Sequence, residues 1–152
     1  MPPPLPDRKV IEAWAGLLRL NKVLLERVEA ALKADGQPPL SWYDVLIELD
    51  RAEGGRLRLF ELAERMLLNK SNLTRLLDRL EGRGLLLRQP CPEDRRGAYA
   101  AITPRGRKLL GAMWPSYGGA IQRHFARHLG ANELAAMQRA AARLLAANED
   151  RA

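Results

Sequence analysis

The sequence predicts one mainly α-helical domain that carries a single small β-hairpin. Apolar residues recur at steps of three and four along most of the chain, which is the pattern of helices with one buried face. Residues 85–102 break this pattern with two short apolar runs around a turn rich in Pro, Asp, Arg and Gly. The length of 152 residues and the hydrophobic content of 47% suit one domain with its own core, and the chain has no internal repeat and no dividing linker.

Three helices are predicted in the first 68 residues. The first covers residues 8–35. The second opens at Ser41, with Asp44 three residues on in an arrangement that resembles a capping box. The third spans residues 59–68 and follows a short extended run at residues 56–58.

A fourth helix and the hairpin follow. Asn69 is its predicted N-cap, and Gly82 marks the region where it ends. The two strands of the hairpin are predicted at residues 85–89 and 98–102, on either side of a turn at residues 90–97.

Two helices are predicted after the hairpin. Thr103 is expected to cap the fifth helix, with Pro104 in its first turn. Pro115 predicts a kink in this helix and Gly130 predicts its end. The last amphipathic helix covers residues 131–148.

Positive charge is concentrated in the middle of the chain. The formal net charge is +7, and residues 69–108 alone contain ten Lys and Arg against four Asp and Glu. A charge run is often only a solvated face, but this one falls on one helix and one hairpin, which favours a nucleic acid as the partner. The aromatic content of 5% is too low for a surface that stacks single-stranded bases.

The predicted fourth helix has the side chains of a helix that reads DNA. Its leucines recur at i, i+3, i+4 and i+7 and predict one buried face, formed by Leu73, Leu76, Leu77 and Leu80. The candidates for DNA contact are the short hydrogen-bonding groups and cations outside that face: Lys70, Ser71, Asn72, Thr74, Arg75 and Arg79. Asp78 also faces outward and is expected to hold an arginine in position. The alternative is an ordinary surface helix with i,i+4 ion pairs.

The predicted hairpin turn supplies further candidates for DNA contact. Arg95 and Arg96 could enter the minor groove, where the negative potential of DNA is concentrated. The carboxylate of Asp94 would then fix the direction of Arg96. In the alternative interpretation Asp94 only caps the turn and both arginines are solvated.

The order and spacing of these segments closely resemble the multiple-antibiotic-resistance regulator (MarR) family. The resemblance is carried by LFELAER at 59–65, NKSNLTRLLDRLE at 69–81, DRR at 94–96 and ITPRG at 102–106. It implies a winged helix-turn-helix homodimer that binds pseudo-palindromic double-stranded DNA and usually represses transcription. It also implies that Asp94 and Arg96 are the acid and the minor-groove arginine of the wing, and it places five candidates on the recognition helix: Ser71, Asn72, Thr74, Arg75 and Arg79.

The terminal helices are expected to form a dimer. The apolar stripes of the first, fifth and sixth helices are larger than a small winged-helix core can cover, which predicts an interface. The resemblance agrees, because members of the family dimerise through their terminal helices. We therefore expect one domain over residues 1–152, with dimerisation helices at 8–35 and 103–148 and a DNA-binding lobe at 41–102.

The resemblance also implies a small aromatic or phenolic effector. In the family such ligands often occupy a cleft between the dimer helices and the DNA-binding lobe, and Arg75 could transmit their effect here. The residues that could line the cleft are Trp14, Trp42, Tyr43 and Asp44, although aromatic residues are also typical of a core.

Metal and redox sensing are weaker hypotheses. His124 and His128 have the i, i+4 spacing of two metal ligands on one helical turn, but there is no third His and no neighbouring Cys, so Glu or Asp would have to complete a tetrahedral site. No cofactor is expected, and a metal-responsive regulator remains an alternative. Cys91 lies beside the wing and is interpreted as a passive residue.

Other classes of protein fit the sequence less well. It lacks Walker, HExxH and nucleophile-elbow motifs, so we do not expect an enzyme. A single Cys, no signal peptide and no apolar stretch of about 20 residues predict a cytoplasmic protein without a membrane partner. The remaining alternative is a winged-helix protein-interaction module that does not bind DNA, and Arg75, Arg79 and Arg96 argue against it.

Overall fold

The computed structural model describes residues 1–68 and 72–149, with the backbone alone at 94–96. Helices dominate this part of the chain, as the sequence predicts. The elements in chain order are α1 (Arg8–Ala34), α2 (Leu40–Arg51), β1 (Arg56–Arg58), α3 (Leu59–Arg65), α4 (Leu73–Gly82), β2 (Leu86–Cys91), β3 (Asp94–Ile102), α5 (Pro104–His124) and α6 (Ala131–Glu149). Short 3-10 turns at Glu53–Gly55 and Ala126–His128 complete them.

The sheet has three antiparallel strands in the order β1-β3-β2. The prediction of a two-stranded hairpin is therefore incomplete, because the extended run before α3 adds β1 to the free edge of β3. Leu57 pairs with Ala100, and Leu86 pairs with Ile102. Pairing satisfies the backbone groups of the short strand, which would otherwise lack partners.

The hairpin turn is shorter than predicted. The strands extend to Cys91 and Asp94, which are register partners, so Pro92 and Glu93 alone form the turn instead of residues 90–97. The register is irregular between Pro90 and Cys91. Proline has no N–H to donate to a ladder, and strands accommodate it at such irregularities.

One hydrophobic core fills the lobe formed by α2, α3, α4 and the sheet. It contains Leu46 and Leu49 of α2, Leu62 of α3 and Leu86 of β2, all fully buried. The buried face of α4 is confirmed, because Leu77 and Leu80 are 2% and 0% exposed and the remaining predicted leucines, Leu73 and Leu76, pack partly buried against the same core.

The start of α4 differs from the prediction. The helix begins at Leu73, and the residue before it, Asn72, adopts a left-handed conformation with a φ of 67°. Asn72 makes no side-chain cap. The predicted cap residue, Asn69, lies outside the described residues.

The start of α2 also differs. The helix begins at Leu40, after Pro39, so the predicted cap Ser41 lies inside it and makes no capping box with Asp44. Instead, the Leu40 N–H donates to the carboxylate of Glu29 on α1 at 3.0 Å. A side chain from a neighbouring helix thus replaces a local cap.

The start of α5 confirms the prediction at Thr103. The Thr103 Oγ1 accepts from the Gly106 N–H at 3.1 Å and donates to the Gly84 carbonyl at 2.6 Å, and Pro104 is the first residue of the helix. The end differs, because α5 stops at His124 instead of Gly130.

A second core cluster joins α1 to α5 and to the start of α2. It contains Val28 and Leu32 of α1, Leu40 of α2, and Met113 and Ala120 of α5. In the described chain this cluster covers only the C-terminal part of α1, and α6 buries no residue at all. Five apolar residues nearer the start of α1 are between 53% and 62% exposed, namely Val10, Ile11, Trp14, Leu17 and Leu18.

Candidate nucleic-acid interface

The solvent-facing side of α4 presents Thr74, Arg75 and Arg79. All three are exposed, while Leu77 and Leu80 on the other side are buried. Among the described residues, neither arginine lies within ion-pair distance of a carboxylate. The alternative of a surface helix with i,i+4 ion pairs therefore finds no support within α4, and the two guanidinium groups are available to an external anion.

Asp78, on the same side of α4, is engaged within the lobe. Its carboxylate lies 2.5 Å from the Arg88 guanidinium on β2. Glu81 contacts the same guanidinium at 3.1 Å and accepts from the Arg88 N–H at 2.6 Å. The bond from this N–H, followed by those from the guanidinium, lowers the pKa of Glu81 below its ordinary value. Asp78 thus holds an arginine, as expected.

The positive charge of residues 69–108 is not one continuous surface. Arg88 is neutralised on β2, and Arg107 forms an ion pair with Asp50 at 2.8 Å. Three further cations line a depression of about 660 Å³ together with Trp42, which we call the basic groove: Arg83, Arg105 and Lys108. The prediction that this charge belongs to one helix and one hairpin is therefore wrong for Arg105 and Lys108, which lie on α5, whereas Arg83 follows the last residue of α4.

The base of the wing is held by contacts between β1, β3 and the turn. The Arg58 guanidinium lies 3.2 Å from the Glu93 carboxylate. The guanidinium carbons of Arg56 and Arg58 lie 4.5 and 5.8 Å from the centre of the Tyr99 ring. These contacts fix the third strand to the hairpin and were not predicted, because they join residues that are distant in sequence.

Several predicted DNA contacts cannot be placed by side chain. Lys70 and Ser71 lie outside the described residues, and so do the side chains of Asp94, Arg95 and Arg96. The backbone places the last three at the start of β3 and not within the turn, which corrects that part of the prediction. Asn72 is described and is exposed immediately before α4.

A cavity of about 810 Å³ lies between α1, α2, α5 and the segment after α3, and we call it the aromatic cavity. Tyr43, Trp114 and Tyr117 form its aromatic wall, with the Tyr43 ring centre 5.0 Å from Tyr117 and 6.3 Å from Trp114. Burial raises the pKa of both tyrosines, so both phenols are neutral at pH 7.

Of the four residues predicted to line a cleft, two line the aromatic cavity and two lie elsewhere. Tyr43 and Asp44 are in its lining. The two tryptophans lie outside this cavity, because Trp14 is exposed on α1 and Trp42 lines the basic groove. Trp114 and Tyr117 are the aromatic residues that the prediction missed at this site, although their i, i+3 spacing signals a shared face of one helix.

Asp44 connects the aromatic cavity to the helix-turn-helix. It is 5% exposed, and its two carboxylate oxygens accept from the Leu67 N–H at 3.2 Å and the Leu68 N–H at 2.9 Å. Leu67 and Leu68 also line the cavity. The segment that leads from α3 towards α4 is therefore a wall of the cavity.

The two histidines do not share a helical turn. His124 is the last residue of α5, the backbone of Phe125 leaves the helical region at φ −127° and ψ −68°, and His128 lies in the 3-10 turn. The prediction of an i, i+4 pair on one helix is wrong for this reason. Within residues 1–68 and 72–149, no three His, Cys, Asp or Glu side chains are grouped as metal ligands. Cys91 is buried at the end of β2.

Part of the chain is similar in sequence to known transcriptional regulators. A model of the MarR family matches residues 37–97, which include α2, α3, α4 and β2. YkoM, an uncharacterised HTH-type transcriptional regulator of Bacillus subtilis, is 35% identical over 71 residues, which are 47% of this chain and 46% of YkoM. The chain spans about half the length of the curated relatives that it matches. No helix in the described ranges is long and apolar enough to cross a bilayer.

Solved structures match along nearly the whole chain. AbsC, a MarR family transcriptional regulator from Streptomyces coelicolor, has a TM-score of 0.83 and 26% identity, with coverage of 98% of this chain and 100% of AbsC. Sco3205, a MarR family regulator from the same organism solved in complex with DNA, has a TM-score of 0.83 and 25% identity, with coverage of 95% and 90%. These relatives and structures are described as transcriptional regulators, and the chain is similar to the MarR family in sequence over residues 37–97 and in fold along nearly its whole length.

Proposed function

We propose that the protein is a homodimeric regulator that binds double-stranded DNA through α4 and the wing and represses transcription. The single observation that supports this most is the side of α4 with Thr74, Arg75 and Arg79 exposed above a buried leucine face. A guanidinium can pair with the O6 and N7 of guanine in the major groove or with a phosphate, and a hydroxyl can bond to either.

The remaining DNA contacts come from the segment before α4 and from the wing. Asn72 is exposed next to the start of the helix, where it is close to any DNA that α4 enters. By the family resemblance we assign Lys70, Ser71 and Arg95 to the DNA surface, with Arg96 in the minor groove and Asp94 as its positioning carboxylate. The Sco3205 complex supports a DNA partner for this fold.

A two-fold dimer would explain the unpaired apolar faces. The exposed residues Trp14 and Leu18 on α1 and Leu144 and Leu145 on α6 lie on helices that the rest of the chain leaves largely uncovered. Burying them against a second copy removes apolar surface from water. Such a dimer presents two copies of α4 about one DNA turn (~34 Å) apart, which requires a pseudo-palindromic operator.

The aromatic cavity is the proposed site of a small aromatic effector. Its volume of about 810 Å³ and its wall of Tyr43, Trp114 and Tyr117 suit such a ligand. A ligand that displaces the segment at Leu67 and Leu68 would strain the two bonds to Asp44. This would shift the segment that leads to α4 and release the DNA. The ligand acts because it binds the conformation that releases DNA more tightly than the conformation that binds DNA.

Selection of bound sequences from random DNA tests the proposal directly. We expect a pseudo-palindrome, with binding that falls steeply with salt at a log–log slope of about −7 for eight neutralised phosphates. Arg75→Ala/Arg79→Ala should weaken binding at least ~10-fold, since each base contact is worth about 1–3 kcal/mol. Arg19→Ala/Arg139→Ala removes the same charge from exposed positions elsewhere and is the control. No enriched sequence and no salt dependence would contradict the proposal and favour a protein-interaction module.

A further inference from the structure

We propose that the basic groove binds a small organic anion with an aromatic ring, at a site separate from the DNA surface and from the aromatic cavity. The groove measures about 660 Å³, within the roughly 300–1,000 Å³ of small-molecule sites. It is formed where the loop after α1 and the start of α2 face the end of α4 and the first turns of α5.

The charge of the groove has one sign. Arg83, Arg105 and Lys108 line it, and no lining residue is acidic. Among the described residues, none of the three cations lies within ion-pair distance of a carboxylate, in contrast to Arg88 and Arg107. Two guanidinium groups and one ammonium group thus line the same groove without a carboxylate beside them, and such groups suit a carboxylate or a phosphate.

The apolar part of the groove suits a ring. Trp42 contributes an indole that is half-buried, and Pro38, Leu85 and Leu109 lie in the same wall. A flat aromatic ligand can pack on the indole while its anionic group reaches the cations at the rim. This combination selects an aromatic anion over an inorganic phosphate, which would leave the apolar wall in water.

The aromatic cavity has the opposite charge balance. Its charged lining residues are Asp44, Glu48 and Arg51, two carboxylates against one cation. The two sites also use different sides of α5, since Arg105, Lys108 and Leu109 line the groove while Trp114 and Tyr117 line the cavity. An anionic ligand is therefore better satisfied in the groove, even though the cavity is larger and more aromatic.

The three tryptophans report on three places in the molecule, which gives a direct test. Trp42 lines the groove, Trp114 lines the cavity, and Trp14 lies on the exposed face of α1. Titration of the full chain with 2-naphthoate, followed by the indole N–H signals in NMR and assigned with Trp→Phe variants, should shift Trp42 most. The neutral 2-naphthamide should bind about 10-fold more weakly. A larger shift at Trp114 or Trp14, or no shift, would overturn the proposal.

Charge removal gives a second test. Arg105→Gln/Lys108→Gln should raise the Kd for 2-naphthoate about 10-fold, whereas Arg19→Gln/Arg65→Gln, with the same loss of charge at exposed sites elsewhere, should leave it unchanged. An equal effect of both variants would overturn the proposal.

DNA is the competing partner for the same cations. In the salt dependence of DNA binding, Arg105→Gln/Lys108→Gln should keep the wild-type slope. A slope shallower by about 4, roughly one unit for each phosphate that the variant dimer no longer neutralises, would assign these cations to DNA and overturn the proposal. The wild-type slope alone tests whether the protein binds DNA. A failure of the proposed function therefore appears in the wild type, whereas a failure of the groove proposal appears only as a difference between the wild type and the variant.

Discussion

Gly106 lies at a close approach between the first turn of α5 and the wing. A β-carbon at this position would lie 2.2 Å from the Leu85 carbonyl oxygen and 2.8 Å from the Cγ1 of Ile102. One of these neighbours belongs to the backbone, so rotation of a side chain cannot relieve the overlap. The absence of a side chain therefore allows the first turn of α5 to lie against β2 and β3.

Gly106→Ala should consequently destabilise the protein by about 2–3 kcal/mol, as expected for overpacking against a fixed neighbour. Gly111→Ala is the matched control on the same helix, because nothing lies within 4 Å of its new β-carbon. The control should stabilise by up to about 1 kcal/mol through helix propensity. Urea unfolding of both variants measures the difference, and equal stabilities would contradict the packing argument.

Asp44 stabilises the protein through two backbone donors. Asp44→Ala removes the charged acceptor of the Leu67 and Leu68 N–H groups, at a cost of about 1–3 kcal/mol. Hydrogen exchange should show faster exchange at these two amides, while the Leu80 amide inside α4 should change only by the global loss of stability. Unchanged protection at Leu67 and Leu68 would show that the bonds contribute nothing.

At the scale of elements, α4 and β2 are joined by Arg88 with Asp78 and Glu81. The folded state lowers the pKa of Glu81, so its contribution is complete above the ordinary value of 4.5 and is lost as the pH falls through the lower folded pKa. The stability difference between wild type and Glu81→Gln should shrink as the pH is lowered from 7 to 3 in urea unfolding. Glu64→Gln, at an exposed glutamate on α3, is the control for loss of one charge. A difference that does not change with pH would contradict this assignment.

Elements governed by local sequence were predictable. The leucine spacing of α4 gave its buried face, and Thr103 with Pro104 gave the start of α5, because a cap and a helical face depend on residues within a few positions. The same reasoning located both strands of the hairpin, although not their full length.

Features governed by distant residues were not predictable from the local pattern. Asp44 has the spacing of a capping box, but its carboxylate accepts from the N–H groups of Leu67 and Leu68, more than twenty residues later. The carboxylate of Glu29 on α1 caps α2 instead. The charge count likewise placed Arg88 and Arg107 on one basic surface, whereas folding brings carboxylates to both. The partner of a polar side chain is a property of the tertiary structure and does not follow from spacing alone.

At the scale of the whole molecule, the exposed apolar faces of α1 and α6 predict that the isolated chain associates. Leu144→Glu/Leu145→Glu should convert a dimer into a monomer in sedimentation and lower the DNA affinity about 10²-fold or more, because the two recognition helices no longer bind together. Arg139→Glu/Arg143→Glu alters the other side of α6 by helical spacing and should leave the dimer intact. A Leu144→Glu/Leu145→Glu variant that remains dimeric would place the interface elsewhere.

The junction at Thr103 joins the wing to the start of α5, so that the two elements move together. β3 ends at Ile102 and α5 begins at Pro104, and Thr103 bonds to both Gly106 and Gly84, so no hinge separates them. A helix of 21 residues is an arm of about 30 Å, and turning such an arm by ~10° moves its tip by about 5 Å. That displacement exceeds the ~3.4 Å between successive base pairs. In a dimer, the angle between the two α5 helices would therefore determine which half-site spacing the protein accepts.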